Sequence, residues 1–484
     1  MLVGALRVAI VFIFVLSAGP LAHAAPPVAD TSPAAQGIGV NVILSTEVTD
    51  AALAELGRHG VVLDVVPSIR GVTLRTASSE LAEIAALPFV ESAEPDVVRS
   101  GAPIDTIPVE SFGDGLNLWN LDAMNVTDLG SGRQVPDYDG AGVYVAVLDS
   151  GLLDSWRQYF PDERIATQYA ISFGGGGGEV GAVSAQPNKW QHDQLSHGTA
   201  VASAILGFRD QFGNSWNGVA PMATVIPVKV LNQNDRGWAS VFARGVIYVA
   251  QLKKSGALGA APVVINMSVG GGHHSSYERA AIQYAIKSGV VVVASAGNFG
   301  EQHVMTFPAA YPEVISVGAS GWKGQWADPY WWFEGDVPDP TDPADYFVAP
   351  FSGRPWPGSA QQLDVLAPGT WIVAPWQTNS GQLHVSYVDG TSFASPLVAG
   401  TVALMLQKNS NPSVDPGCAA SPWPLQCNVE SILTSSARML PPAEAPDDCV
   451  TVRDPLKGEL EVCWSADAVG AGIVTADAAL GSTP

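Results

Sequence analysis

What most constrains this chain is a series of short, unbroken apolar runs: Val143–Leu148, Val225–Leu231, Val263–Met267, Val290–Ala294 and Val314–Val317. A strand with one wet face alternates apolar and polar residues. A strand that is apolar throughout is buried on both faces. Helical stretches separate the runs, at His197–Leu206, Ala239–Lys254 and Ser276–Lys287. In the last, Ser276 reads as the cap, and Ala280, Ile282, Tyr284, Ala285 and Ile286 supply apolar faces. Strand–helix alternation of this kind predicts an α/β fold, a parallel sheet with helices on both faces. Ligands of such folds gather at the carboxyl ends of the strands.

Candidate chemistry lies at those ends. Asp149 follows the first run directly, and Ser150-Gly151 come next. His197 opens HGTAVASAIL, a helix whose small residues permit close packing. Asn298 ends Ser295-Ala-Gly-Asn298, just past the fourth run. Ser392 lies in GTSFASPLVAG, ahead of a helix expected over Phe393–Gln407 that is apolar almost all round and hence buried. Pro396 is expected in that helix's first turn, where a missing N–H costs little. Each residue has an ordinary structural reading as a helix cap, a turn residue or a core histidine. Together they place an acid, a base, an amide donor and a hydroxyl around one sheet. The chain order Asp, His, Ser is that of the subtilisin arrangement, and no G-x-S-x-G elbow is present. His192 lies near His197, but no carboxylate–histidine helix motif makes them a metal pair.

The remaining sequence sets the context. With 23 basic and 46 acidic residues the net charge is −23, which disfavours nucleic acid and anionic membrane as partners. Residues 1–24 read as a secretory signal peptide: Arg7, an apolar run Val8–Ala18 too short to span a bilayer, and Ala22-His23-Ala24. No later run is long and apolar enough for a membrane span. The protein is therefore expected to be secreted, extracellular or periplasmic. Residues 25–36 read as linker. Residues 37–100 show the order β-α-β-β-α-β of the ferredoxin-like split motif, with strands Val40–Leu44, Val61–Val66, Gly71–Arg75 and Val90–Val98 and helices Asp50–Arg58 and Ser79–Leu87. Residues 101–118 read as an exposed, cleavable linker. Stretches near 153–195 (with the glycines 174–178), 322–350 (rich in Trp, then Pro and Asp) and 413–467 read as surface insertions. The last holds Cys418, Cys427, Cys449 and Cys463; an even count in an exported chain suggests two disulfides with three possible connectivities. Neighbour pairing is preferred because it closes short loops.

VAVLDSGL, HGTAVAS, NMSVGG, SAGN, LAPG, GTSFASPLVAG and VGAGIVTADAAL all resemble the subtilase family of serine peptidases, over roughly 119–480 of a peptidase domain expected over 119–484. Ala200, Ser203, Phe393 and Leu397 depart from the usual motif residues without removing a reacting group. Residues 37–100 resemble the family's inhibitory pro-domain, a folding template later cut away. The resemblance implies a secreted serine endopeptidase with Asp149, His197 and Ser392 as catalytic triad and Asn298 in the oxyanion hole. It implies substrate binding by Ser268, Val269, Gly270 and Gly271 and by Ala294, Ser295, Ala296 and Gly297, taken as two edge strands flanking the cleft. The small residues there suggest tolerance of apolar side chains before the cut. No cofactor is required for the chemistry. Structural calcium is an expectation from the family, with Glu334, Asp336, Asp339, Asp342 and Asp345 as an eligible loop and no ligand assigned. The implied partners are a protein or peptide substrate and the pro-segment as intramolecular inhibitor. Two competing readings are a catalytically inactive secreted binding protein of the same fold and a serine esterase.

Overall fold

The computed structural model describes residues 37–101, 106–108, 117–128, 132–173, 185–333, 337–377, 384–444 and 448–484. The expected signal peptide 1–24, the linker 25–36, the glycines 174–178, Glu334, Asp336 and most of the linker 101–118 lie outside the described residues.

The apolar runs become the middle of one eight-stranded sheet, in the order Ile171–Ser172, Thr224–Lys229, Tyr144–Asp149, Val263–Met267, Val290–Ser295 and Ile315–Trp322, with Tyr346–Val348 and Val365–Pro368 both paired to the last. Every pairing is parallel except that with Tyr346–Val348. Although these strands are apolar throughout, their two faces serve different layers. Val145 and Val147 join the core that holds the helices His197–Leu206 and Thr391–Lys408. Ala146 and Leu148 face the core beneath Ala239–Lys254 and Ser276–Lys287. Side chains alternate along a strand, so an unbroken apolar run is what two buried faces require.

Several expectations need correction in detail. The cap of Ser276–Lys287 is Ser275, not Ser276: its hydroxyl accepts from the Glu278 N–H. The helix expected from Phe393 begins at Thr391, so Pro396 falls in the second turn. Its missing N–H leaves the Ser392 carbonyl without its partner four residues on, and the Ser268 hydroxyl donates there instead at 2.7 Å. The stretches near 153–195 and 322–350 are not surface insertions. Each contributes a strand to the sheet, and Trp156, Trp190, Trp331 and Trp332 are buried in the core. Trp331 stacks on Tyr387 at 5.6 Å, and Trp119 packs against the same indole. Tryptophan there outweighs the polar texture of its neighbours because each ring removes a large apolar area from water.

The segment 413–467 carries two disulfides, Cys418–Cys427 and Cys449–Cys463. The helix Pro424–Ser436, which carries Cys427, sends Gln426 onto the sheet, where its amide bonds both the N–H and the carbonyl of Val292 at 2.9 Å.

Residues 37–100 form an antiparallel sheet of Ile38–Leu44, Val61–Val66, Gly71–Thr76 and Val90–Pro95, with Gly71–Thr76 and Val90–Pro95 flanking the first strand. The helix Asp50–His59 and a short one at Leu81–Ala85 complete it around Val40, Val42, Leu56, Leu74 and Ile84. This sheet belongs to the same compact unit as the rest of Gly37–Pro484. Ile43, Val66 and Ile69 enter the core beside Tyr277 and Phe242. The strand expected over Val90–Val98 breaks after Pro95, for an electrostatic reason. Asp96 turns its carboxylate onto the amino end of Ala239–Lys254, accepting from the Ser240 N–H at 3.0 Å and from its hydroxyl. Glu94 accepts from the Tyr277 N–H at 3.3 Å, at the amino end of Ser276–Lys287. Carboxylates at helix amino ends satisfy unpaired N–H groups and complement the dipole. Past that break, Val98–Ser100 forms a separate strand.

Candidate active site

Asp149 is the last residue of its strand and His197 the first of its helix. The two elements meet through Gly198, whose N–H donates to the Ser150 hydroxyl at 2.8 Å. A Cβ on Gly198 would come within 2.2 Å of the Gly151 carbonyl oxygen, so only glycine allows this approach. The consequence is a fully buried pair, His197 Nδ1 to Asp149 Oδ1 at 2.8 Å. Asp149 Oδ1 also accepts from the Ser150 N–H at 2.6 Å. The other imidazole nitrogen, Nε2, is buried and has no hydrogen-bond partner among the described residues.

Ser392 is the second residue of its helix, so its N–H has no acceptor within the helix. Its hydroxyl donates to the Ser268 carbonyl at 3.0 Å rather than to the imidazole. The imidazole is nonetheless next door: the ring of Phe393 is 5.8 Å from it, centroid to centroid. Asn298 sits on the other side of the serine turn. Its amide oxygen accepts from the Thr391 N–H and hydroxyl, each at 2.9 Å, which fixes the flip of the amide. Nδ2 then points along Gly390, where a Cβ would lie 3.2 Å away and where φ is 153°. The sheet thus gathers acid, imidazole, hydroxyl and amide donor at one rim.

A segment of the same chain crosses this rim. Val98–Ser100 pairs antiparallel with Arg236–Trp238, and on its other side Ser100 and Gly270 exchange N–H···O bonds of 3.1 and 2.9 Å. Gly101 then meets the imidazole: a Cβ on it would lie 2.9 Å from His197 Cε1. Farther on, residues 106–108 pair with Val385–Val388, the strand leading into the Ser392 turn. Of the proposed lane residues, Gly270 makes the pairing and Gly271 passes close to the Arg99 side chain. Ser268 holds the Ser392 carbonyl, and Val269 is core. Ala294, Ser295, Ala296 and Gly297 are not an edge strand. Ala294 and Ser295 lie inside the parallel sheet, and Ala296 and Gly297 spend their groups on Val317, Thr306, Thr391 and Gly353. The strand on the other side of Val98–Ser100 is Arg236–Trp238, which sequence reasoning did not find. Its signal was slight, a Gly between two polar-capable residues ahead of a helix.

Two more acids act on the imidazole, Asp193 and Asp235, and Lys229 lies beside Asp149. Asp193 Oδ1 caps the helix entry, accepting from Leu195 and Ser196 N–H groups at 3.0 Å. Lys229, aligned with Asp149 in the sheet, donates to the Ser150 carbonyl at 2.5 Å. Asp235 accepts from the Gly101 N–H at 3.0 Å. Burial opposes a charged imidazole, but the charge and hydrogen bond of Asp149, then Asp235 and Asp193, prevail and push His197 up to about 9. Asp235 is itself pushed up to about 6 by burial, against the attraction of His197.

In the stretch from which the calcium expectation came, the described acids make local turn contacts. Asp339 spends Oδ1 on Thr341, and Asp342 spends Oδ1 on the Ala344 N–H. Two groups have metal-like spacing among the described residues. In one, Cys449 and Cys463 are joined to each other; the other is His59, Glu80 and Glu83.

A sequence model of the subtilase family matches residues 140–448. The chain belongs to the subtilase family. As a subtilase it is a subtilisin-like serine endopeptidase by descent, and its relatives are named as a serine proteinase and as subtilisins. It is 32% identical over 360 residues to the extracellular serine proteinase of Thermus sp. (strain Rt41A), covering 74% of this chain and 71% of that one. To subtilisin E of Bacillus subtilis (strain 168) it is 32% identical over 275 residues, 56% of this chain and 57% of the other. The crystal structure of fervidolysin from Fervidobacterium pennivorans, a keratinolytic enzyme related to subtilisin, superposes with a TM-score of 0.62 at 22% identity, over 92% of this subtilase and 61% of that chain. That likeness speaks for the fold. Among the described residues, no helix is long and apolar enough to cross a membrane.

Proposed function

We propose that the protein is a secreted endopeptidase made as a zymogen, with Asp149, His197 and Ser392 as its triad. The observation that carries this reading is the buried Asp149–His197 pair beside Ser392, with a strand of the same chain laid across it. In the reaction, the Ser392 hydroxyl turns from the Ser268 carbonyl to His197 Nε2. Nε2 takes its proton as the oxygen attacks a peptide carbonyl, then returns it to the departing amine. An acyl-enzyme forms, and water releases it by the same steps in reverse. Asp149 holds Nδ1 protonated and stabilises the imidazolium. The Ser392 N–H and Asn298 Nδ2 receive the oxyanion, where the start of a buried helix favours negative charge.

Residues 37–100 act as the pro-domain in this proposal. Their sheet covers the amino ends of two helices through Glu94 and Asp96, and the strand after it fills the substrate lane. Processing falls between 101 and 106, after the strand Val98–Ser100 and before the strand 106–108.

The test is covalent labelling. A serine-directed fluorophosphonate labels the processed protein, and Ser392→Ala abolishes labelling, casein hydrolysis and processing alike. N-terminal sequencing of the secreted product then finds a new terminus within 102–106. Casein hydrolysis that survives Ser392→Ala sinks the assignment.

A further inference from the structure

The strand in the substrate lane carries a charged side chain into the protein. Arg99 and Glu278 both have 0% side-chain exposure and meet through paired bonds, Nε to Oε1 at 3.0 Å and Nη2 to Oε2 at 2.6 Å. Nη2 also donates to the His273 carbonyl at 3.2 Å, and Nη1 to the Val98 carbonyl at 3.2 Å. The Tyr311 hydroxyl lies 3.0 Å from Glu278 Oε2 and 2.9 Å from the Ser275 carbonyl, with one proton to donate between them, and it closes the pocket behind the carboxylate. Glu278 belongs to the helix Ser276–Lys287, part of the peptidase core and not of the pro-domain.

We infer that Glu278 forms a subsite for a guanidinium side chain, and that this peptidase selects polypeptides with arginine upstream of the cut. The inference rests on the peptidase reading above. When residues 37–100 leave, the carboxylate stays at the floor of the pocket that Arg99 filled, beside the Tyr311 hydroxyl but without its cation. A buried charge lacking its partner is strongly unfavourable, so the emptied pocket favours a cation over an apolar side chain. Its two oxygens match the fork of an arginine, and the His273 carbonyl takes a further N–H, a pattern that a lysine point charge does not fill. Asp96, the other acid near Arg99, departs with the pro-domain, which leaves Glu278 as the selecting charge. The position follows from the lane. Arg99 precedes the residue bonded to Gly270, and Gly101 meets the imidazole. A cut after Gly101, or after the residue that follows it, makes arginine the third or fourth residue before the bond.

Self-processed enzyme and matched quenched peptides test this. The peptides carry arginine, citrulline, lysine or norleucine at the third or fourth position before the cut. Citrulline keeps the shape of arginine without its charge. A charge-assisted pair predicts kcat/KM for arginine above citrulline by roughly tenfold to a hundredfold at one of these positions. Glu278→Gln brings that ratio close to one, and Glu278→Asp keeps part of it. Should Glu278→Gln fail to fold, the arginine–citrulline comparison in the unaltered enzyme still decides. Peptide hydrolysis that ignores arginine at both positions overturns the inference and leaves the peptidase reading standing; no hydrolysis of any peptide or of casein overturns both.

Discussion

At the scale of single residues, the imidazole is set by its charged company. In the proposed reaction the base is neutral His197, and a value pushed up to about 9 means that the neutral form prevails only above that pH. Activity is therefore expected to climb between roughly pH 8 and 10, not across the ordinary histidine range near ~6.5. The same shift favours the folded chain below ~6.5, a contribution lost as pH rises through about 9. Asp235→Asn removes one of the charges that raise His197, so the midpoint of the kcat/KM profile moves down. An unchanged midpoint would show that Asp235 does not act on the imidazole. Asn298 invites a simpler change. Asn298→Ala deletes the Nδ2 donor, and the loss for such a donor in subtilisin, the handiest precedent, is about 10²–10³ in kcat. Steady-state kinetics should show that loss with KM nearly unchanged.

Secondary-structure elements were the most legible level. Buried parallel strands announce themselves by unbroken valine and isoleucine, and the helices Ala239–Lys254 and Ser276–Lys287 by their spacing. Asp149, His197 and Ser392, the residues proposed to react, were legible because each stands where such an element starts or stops. Partners that act across the fold were not. Nothing local marks Asp235 as facing His197, or Glu278 as facing Arg99, because those meetings depend on how distant elements pack. The error over Pro396 is of the same kind. Proline in a second turn is disfavoured by local rules, and it is tolerated here because Ser268 serves the orphaned Ser392 carbonyl. Ser268→Ala should then lower stability by about 1–3 kcal/mol, the loss expected for an unpaired buried carbonyl. Pro396→Ala restores an N–H to that carbonyl, so the double variant should recover part of the loss. Thermal melts of the full chain with Ser392→Ala as background measure both, and strict additivity would refute the link.

For the whole molecule, the question is how firmly residues 37–100 sit on the peptidase core. Apolar contact by Ile43, Val66 and Ile69 supplies an attraction that varies little with pH. Asp96 supplies one that does vary. Burial raises its carboxyl to about 6, against the hydrogen bonds from Ser240 and Asn41 that favour the ionised form. The docked state thus holds a proton more tightly than the undocked one, whose carboxyl keeps an ordinary value near ~3.9. Docking gains fully below ~3.9, and the gain fades as pH rises through about 6, by up to ~3 kcal/mol over the whole span. A precursor kept uncut by Ser392→Ala should therefore melt higher at pH 5 than at pH 7.5 by virtue of this group. Asp96→Asn keeps an oxygen for the Ser240 N–H but cannot ionise, so it should flatten that difference. After the proposed cut, the same sign makes release of residues 37–100 easier at pH 7.5 than at pH 5, readable by size-exclusion chromatography of the processed protein. If Asp96→Asn leaves both the melting difference and the release profile intact, control of docking lies in other groups, and the carboxylate serves only as a helix cap.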